Sequence, residues 1–302
     1  MKNETKTLTL NEVSGVTQQV EINLSDFALF LSVAQCPPAY EAILSIVMNE
    51  MDLELVDVKV ERVVLNKEGK RGIRLDAWAQ DTEERQYATE MQNDITKDDV
   101  KKRSRYYQSL LDSPILKSGK NTKYKYLPST FVIFITQDDI WGLDKAMYTF
   151  TERCVEVPEL ELGDGTKKIF LNMTSKNGRD ELISLLQYMK KTDLKNPEII
   201  IQDKRIKKLD EIVQEVKQSE EWEAVSMSIW ELGMEKGITE GAIIKGIAIV
   251  RKNKARHLDA AEIAQFMDMD EREVEDIFAL IEENPNASDM EIAELMKAEC
   301  VK

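Results

Sequence analysis

Histidine is almost absent from this chain: His257 is the single example in 302 residues. That scarcity excludes a histidine-rich metal centre and a motif-placed triad built on imidazole. The three cysteines, Cys36, Cys154 and Cys300, lie far apart with no C-x-x-C spacing, which excludes a zinc ribbon and makes a reducing cytoplasm the expected home. No stretch approaches the roughly 18 uncharged apolar residues of a membrane span, and Met1–Glu21 lacks an apolar signal core, so neither insertion nor secretion is expected. The glycines of GMEKGITEGAIIKG do not fit G-x-x-x-x-G-K-[ST], which leaves a nucleotide-binding P-loop unsupported. A net charge of -15 excludes a uniformly basic nucleic-acid coat, yet it permits a local basic patch.

What is present is enough apolar side chain, 42% of residues, for a core without covalent staples. Residues 1–22 are rich in Thr, Asn and Gln and read as a polar leader or a loosely added strand. Helices are expected on both sides of Pro37-Pro38, because Tyr40, Ile43, Leu44 and Val47 share a face. The period then shortens, giving strands near 56–64, 72–80 and 85–92 in a meander, a helix over Asp99–Leu111, and a buried strand in FVIFI at 131–135. Weaker strands are expected at Val155–Val157 and Lys168–Leu171, with a closing helix over Gly178–Lys190. The pattern implies a mixed α/β domain over 23–195, a charged helical linker or assembly segment over 196–254, and a small acidic helical module over 255–302. From His257 onward 14 acidic residues face three basic ones, so that module suits protein contact better than a DNA groove. Asp259 and Asp289 are placed to cap its helices.

The chemistry concentrates between Asp76 and Tyr107. Strand alternation sets Asp76, Trp78 and Gln80 on one face, with Leu75, Ala77 and Ala79 on the other. In QYATEMQ, Glu90 and Gln92 lie together. An odd hairpin loop formed by Thr82-Glu83-Glu84 stands Asp76 opposite Glu90, whereas a two-residue loop puts the carboxylates on opposite faces. Two neighbouring carboxylates with the Met91 carbonyl form a hard oxygen site suited to Mg²⁺ or Mn²⁺, which polarises a phosphodiester and acidifies bound water. Gln92 can orient that water, but an amide is no general base. The competing reading makes Asp76 and Glu90 ordinary solvated residues of an edge hairpin.

Nine basic residues, among them Lys101, Lys102, Arg103 and Arg105, stand against three acidic ones between positions 97 and 126. Phosphate contact is one use of this local excess, and a solubilising surface is the other. Tyr106 and Tyr107 suit either packing against the sheet or contact with sugar and phosphate.

The phrases KRGIRLDAWAQDTEERQYATEMQ, KKRSRYYQSLL and YKYLPSTFVIFITQDD, in this order, resemble the recombination-promoting nucleases, also described as PD-(D/E)XK nuclease family transposases. The likeness covers about residues 25–190 and implies a restriction-endonuclease-like core, metal-dependent DNA cleavage and a link to recombination or mobile elements. It places the acidic metal residues on Asp76 and Glu90, and it puts Gln92 where many wider relatives carry lysine. It assigns the helix pattern to Arg103 and Tyr107, which join Lys101, Lys102 and Arg105 as expected DNA contacts. Glu41 or Glu50 stands as an additional metal ligand. The chain departs from the family in SDFALFLSVAQC and AILSIVMNE. The leading expectation is therefore a Mg²⁺-dependent DNA endonuclease whose helical tail supports homo-oligomerisation or regulation. The alternative is a catalytically inactive descendant that binds DNA or a protein partner. His257 and the cysteines are expected in structural or surface roles, and Trp222 and Trp230 as packing anchors of the tail.

Overall fold

The computed structural model describes residues 21–66, 69–93, 98–115, 123–267 and 269–299. The polar leader, apart from its last two residues, and Lys97, Lys117 and Lys120 of the basic segment lie outside these ranges. The chain divides into two compact units, 1–223 and 224–302.

The first unit is a six-stranded mixed sheet flanked by helices on both faces. Helices α1 (Phe27–Ala34) and α2 (Pro37–Met48) precede strands β1 (Leu55–Val64), β2 (Ile73–Asp81) and β3 (Gln86–Gln92). Helix α3 (Val100–Asp112) then crosses to β4 (Thr130–Thr136), followed by β5 (Met147–Phe150), β6 (Thr166–Asn172), α4 (Asp180–Lys190) and α5 (Lys204–Lys217). The strand order is β1-β2-β3-β4-β6-β5. The first three strands are antiparallel, β4 runs parallel to both β3 and β6, and β5 closes an edge antiparallel to β6. Parallel pairing of β3 with β4 requires a crossover, and α3 supplies it.

Local chemistry explains the element ends. Pro37 and Pro38 open α2, where a missing N–H costs little, and Asn49 closes it in the left-handed region at φ 59°. Asp99 caps α3 by accepting the Lys102 N–H at 3.0 Å. Strand β4 is buried along its whole length because helices cover both of its faces. Its Phe131, Ile133 and Ile135 face a core built with α1, α2, α4 and α5, whereas Val132 and Phe134 face a smaller one built with α3.

Several expectations need correction. Val155–Val157 is an exposed excursion beyond the edge strand, held by a lone bridge between Arg153 and Glu161, because no layer lies there for its apolar side chains to pack against. The neighbouring Met147–Phe150 forms the edge strand instead. Leu75 packs with Ile73 in the α3-side core rather than with Ala77 and Ala79. The boundary expected at 195 also moves. Ile206, Leu209 and Val213 of α5 form a stripe buried in the larger core with Trp222, so the first unit continues to Glu223.

The second unit is helical. The long helix α6 (Glu220–Lys254) leads into α7 (Ala260–Met267), α8 (Glu271–Glu283) and α9 (Asp289–Glu299). Ile247 and Val250 of α6 share a core with Ile263, Val274, Ile277 and Ile292, so no break falls at 254/255. Asp259 caps α7 as expected, in a reciprocal pair with Glu262. At α9 the cap is Ser288 with Glu291, and Asp289 instead binds Arg251 at 2.7 Å. Among the described residues no single helix is long and apolar enough to cross a membrane.

Candidate functional site

The hairpin between β2 and β3 decides whether the two carboxylates meet. Asp81 holds its turn: Oδ1 accepts the N–H groups of Glu83 and Arg85, and Oδ2 accepts Arg85 Nε and Tyr87 Oη. Glu84 takes a left-handed conformation, and the Asp81 N–H bonds the Arg85 carbonyl, leaving a loop of Thr82, Glu83 and Glu84. The loop is odd, and pairing of Ala77 with Thr89 carries Asp76 opposite Glu90.

The pair is tied to the ladder. The Asp76 N–H donates to Glu90 Oε1 at 3.0 Å, and the Met91 N–H donates to Asp76 Oδ2 at 2.9 Å. Asp76 is 8% exposed and Glu90 is 1% exposed. Burial is the main force raising both carboxyls above the ordinary carboxylate range. The negative charge of Asp76 raises Glu90 further, while Arg103 opposes the rise at both groups. The solvated-edge reading of these residues therefore does not describe them.

Helix α3 supplies the other wall. Arg103 Nη2 donates to Glu90 Oε2 at 2.7 Å and Nη1 to Gln92 Oε1 at 2.9 Å. Tyr107 Oη accepts from Arg103 Nε and Nη2 and donates to Glu90 Oε2 at 3.3 Å. Arg103 and Tyr107 thus turn inward onto the carboxylates. Tyr107 is 6% exposed, and its ring sits against Phe134. Lys102 and Arg105 instead line an open cleft of about 610 Å³, together with Arg71, Arg74, Asp76, Arg103 and Tyr106. Lys101 stands outside that lining, with its ammonium 5.2 Å from the Trp141 ring centroid.

Neither expected extra ligand joins the pair. Glu50 makes a two-pronged ion pair with Arg85 at 3.0 and 2.7 Å, and Glu41 accepts the Leu55 N–H. Arg85 also pairs with Asp81, so the acidic side chains near α2 serve the hairpin turn and the start of β1. Among the described residues no group of three or more His, Cys, Asp and Glu side chains gathers to hold an ion. The donors at hand are Asp76, Glu90 and the backbone at Met91. Such a set fits Mg²⁺, which keeps much of its water shell and binds through one or two carboxylates plus substrate phosphate. A cation there also offsets the crowding of two buried negative charges.

Sequence reasoning passed over Arg71 and Arg74 as cleft residues. Arg74 lies two residues before Asp76 on β2 and reaches the same cleft. Comparison of the chain with protein-family models, with curated proteins and with solved structures finds no match.

Proposed function

We propose that the first unit is a restriction-endonuclease-like, divalent-metal-dependent DNA endonuclease akin to the recombination-promoting nucleases. The observation that carries this reading is the placement of Asp76 beside Glu90, buried on the sheet face covered by basic α3, with Asp76 in the wall of a cleft that has more basic than acidic side chains. The cleft residues Arg71, Arg74, Lys102 and Arg105 hold the phosphodiester backbone by charge. Asp76, Glu90 and the Met91 carbonyl hold Mg²⁺ or Mn²⁺, which when bound neutralises charge on the phosphoryl oxygens and acidifies coordinated water. Gln92 contributes a neutral amide and cannot take a proton, so its role is orientation. Tyr107 and Arg103 fix Glu90, and Phe134 with Phe170 forms an apolar floor beneath them.

The competing reading, a catalytically inactive descendant that binds DNA or a protein, draws support from the amide at position 92 and from the hold of Arg103 on Glu90. Supercoiled-plasmid cleavage with Mg²⁺ or Mn²⁺ separates the two. Wild type is expected to give nicked or linear product, and a folded Asp76→Ala variant none. Equal cleavage by both proteins, or by neither, defeats the endonuclease reading of this hairpin. For the second unit we propose a role in partner contact, supported by its acidic surface, or in self-association.

A further inference from the structure

Arg103 stands apart from the other basic residues of its helix. Lys102 sits at the helix cap, with Asp99 3.3 Å away, and Arg105 is exposed, whereas the Arg103 guanidinium is folded onto the carboxylate pair. Its three nitrogens all have partners: Glu90 Oε2, Gln92 Oε1 and Tyr107 Oη. Glu90 Oε1 accepts the Asp76 N–H, and Oε2 accepts both Arg103 Nη2 and Tyr107 Oη, so a cation drawn to this carboxylate meets a group already paired with the guanidinium. Arg103 also lines the cleft, so an anion entering there can reach it. Guanidinium binds phosphate with the same two-pronged geometry that it uses for carboxylate.

We propose that Arg103 is an exchangeable counter-ion of the Asp76–Glu90 pair, competing with a divalent cation for the Glu90 carboxylate and giving way when that cation loads. This rests on the two-carboxylate metal reading above. Arg103 and the divalent ion carry like charge, so each weakens the hold of Glu90 on the other, and the coupling is reciprocal. A substrate phosphate in the cleft is the natural acceptor for the displaced guanidinium. Arg103 is then a positioning residue that also keeps a buried carboxylate pair tolerable before the ion arrives.

The test is Mn²⁺ binding to the full chain, read from the electron paramagnetic resonance signal of free Mn²⁺, with thermal melting of each variant as a fold control. Arg103→Gln is expected to bind Mn²⁺ at least tenfold more tightly than wild type, with the gain lost in Arg103→Gln/Glu90→Gln. Tyr107→Phe removes the hydroxyl that accepts from Arg103 and donates to Glu90, and it is expected to tighten Mn²⁺ severalfold while retaining the arginine. It carries the comparison if Arg103→Gln does not fold. Unchanged or weaker Mn²⁺ binding in the folded variant, with wild-type binding still abolished by Glu90→Gln, overturns the exchange and leaves the carboxylate site standing. Mn²⁺ binding that ignores Glu90→Gln in every background overturns the carboxylate site and the exchange with it.

Discussion

Replacing Asp76 by Asn tests the electrostatic strain at the centre of the first unit. The amide oxygen retains an acceptor for the Met91 N–H, so the change removes a charge while preserving shape and that backbone contact. In the folded wild type both carboxyls titrate above their ordinary range, so between about pH 4 and their raised values the native state binds more protons than the unfolded chain. The sign follows: wild-type stability is greatest at the acidic end of that window and falls as pH rises through it. Each pH unit of upward displacement corresponds to about 1.4 kcal/mol at neutral pH. Because Met91, Arg103 and Arg74 offset part of the burial of Asp76, a gain of about 1–3 kcal/mol is expected for Asp76→Asn at pH 7. For a unit of this size that is about 2–4 °C in melting midpoint per kcal/mol. Urea unfolding followed by fluorescence reports mainly on the first unit, which holds Trp78, Trp141 and Trp222. The two proteins should converge at pH 3.5 and separate as pH rises to 8. A variant less stable than wild type at pH 7, or an advantage unchanged down to pH 3.5, refutes the argument that buried like charge sets this stability.

Two further perturbations probe the scaffold. Arg85→Met is expected to lower urea stability of the first unit by about 2–4 kcal/mol, because Asp81, only 1% exposed, loses its charged partner and the hairpin turn its tie to Glu50. If the loss is below about 0.5 kcal/mol, on the scale of an exposed pair, the ion pair does not hold the turn. Ser288→Ala is expected to cost about 0.5–2 kcal/mol in the second unit alone, through loss of the α9 cap. Hydrogen exchange across 271–299 should rise while that of 73–92 stays unchanged, and an equal rise in both segments counts against a local cap.

Much of the architecture was readable because its causes are short-range. The double proline at 37–38, the alternation through 55–92 and the continuous apolar run at 131–135 each declare themselves within a few residues, and the elements fall close to where those signals place them. The region after β4 was harder for the same reason. Val155 and Val157 alternate as a strand does, yet burial depends on whether another layer lies above them, and none does. Likewise α5 looked like part of a charged tail because its stripe of Ile206, Leu209 and Val213 is narrow, and the core it completes is built from residues far away in the chain.

The candidate site divides in the same way. Residue types and spacing by themselves established that two acids, an amide and a basic helix follow one another, and that Asp76 and Glu90 can meet only if the intervening loop is odd. That parity is local, set by Asp81 gathering the N–H groups of Glu83 and Arg85. Which extra acids attend the pair was not local. Glu41 and Glu50 are acids of the right chemistry, but the tertiary structure engages them with Leu55 and Arg85. Nor does helix periodicity say that Arg103 and Tyr107 turn inward while Arg105 faces the cleft, since this depends on where α3 rests on the sheet. Sequence determines which groups share a face wherever the alternation is unbroken, because that is a matter of backbone period; at Leu75 it breaks. Tertiary packing decides which charges are buried together, because desolvation and Coulomb forces act between elements that only the finished fold brings into contact.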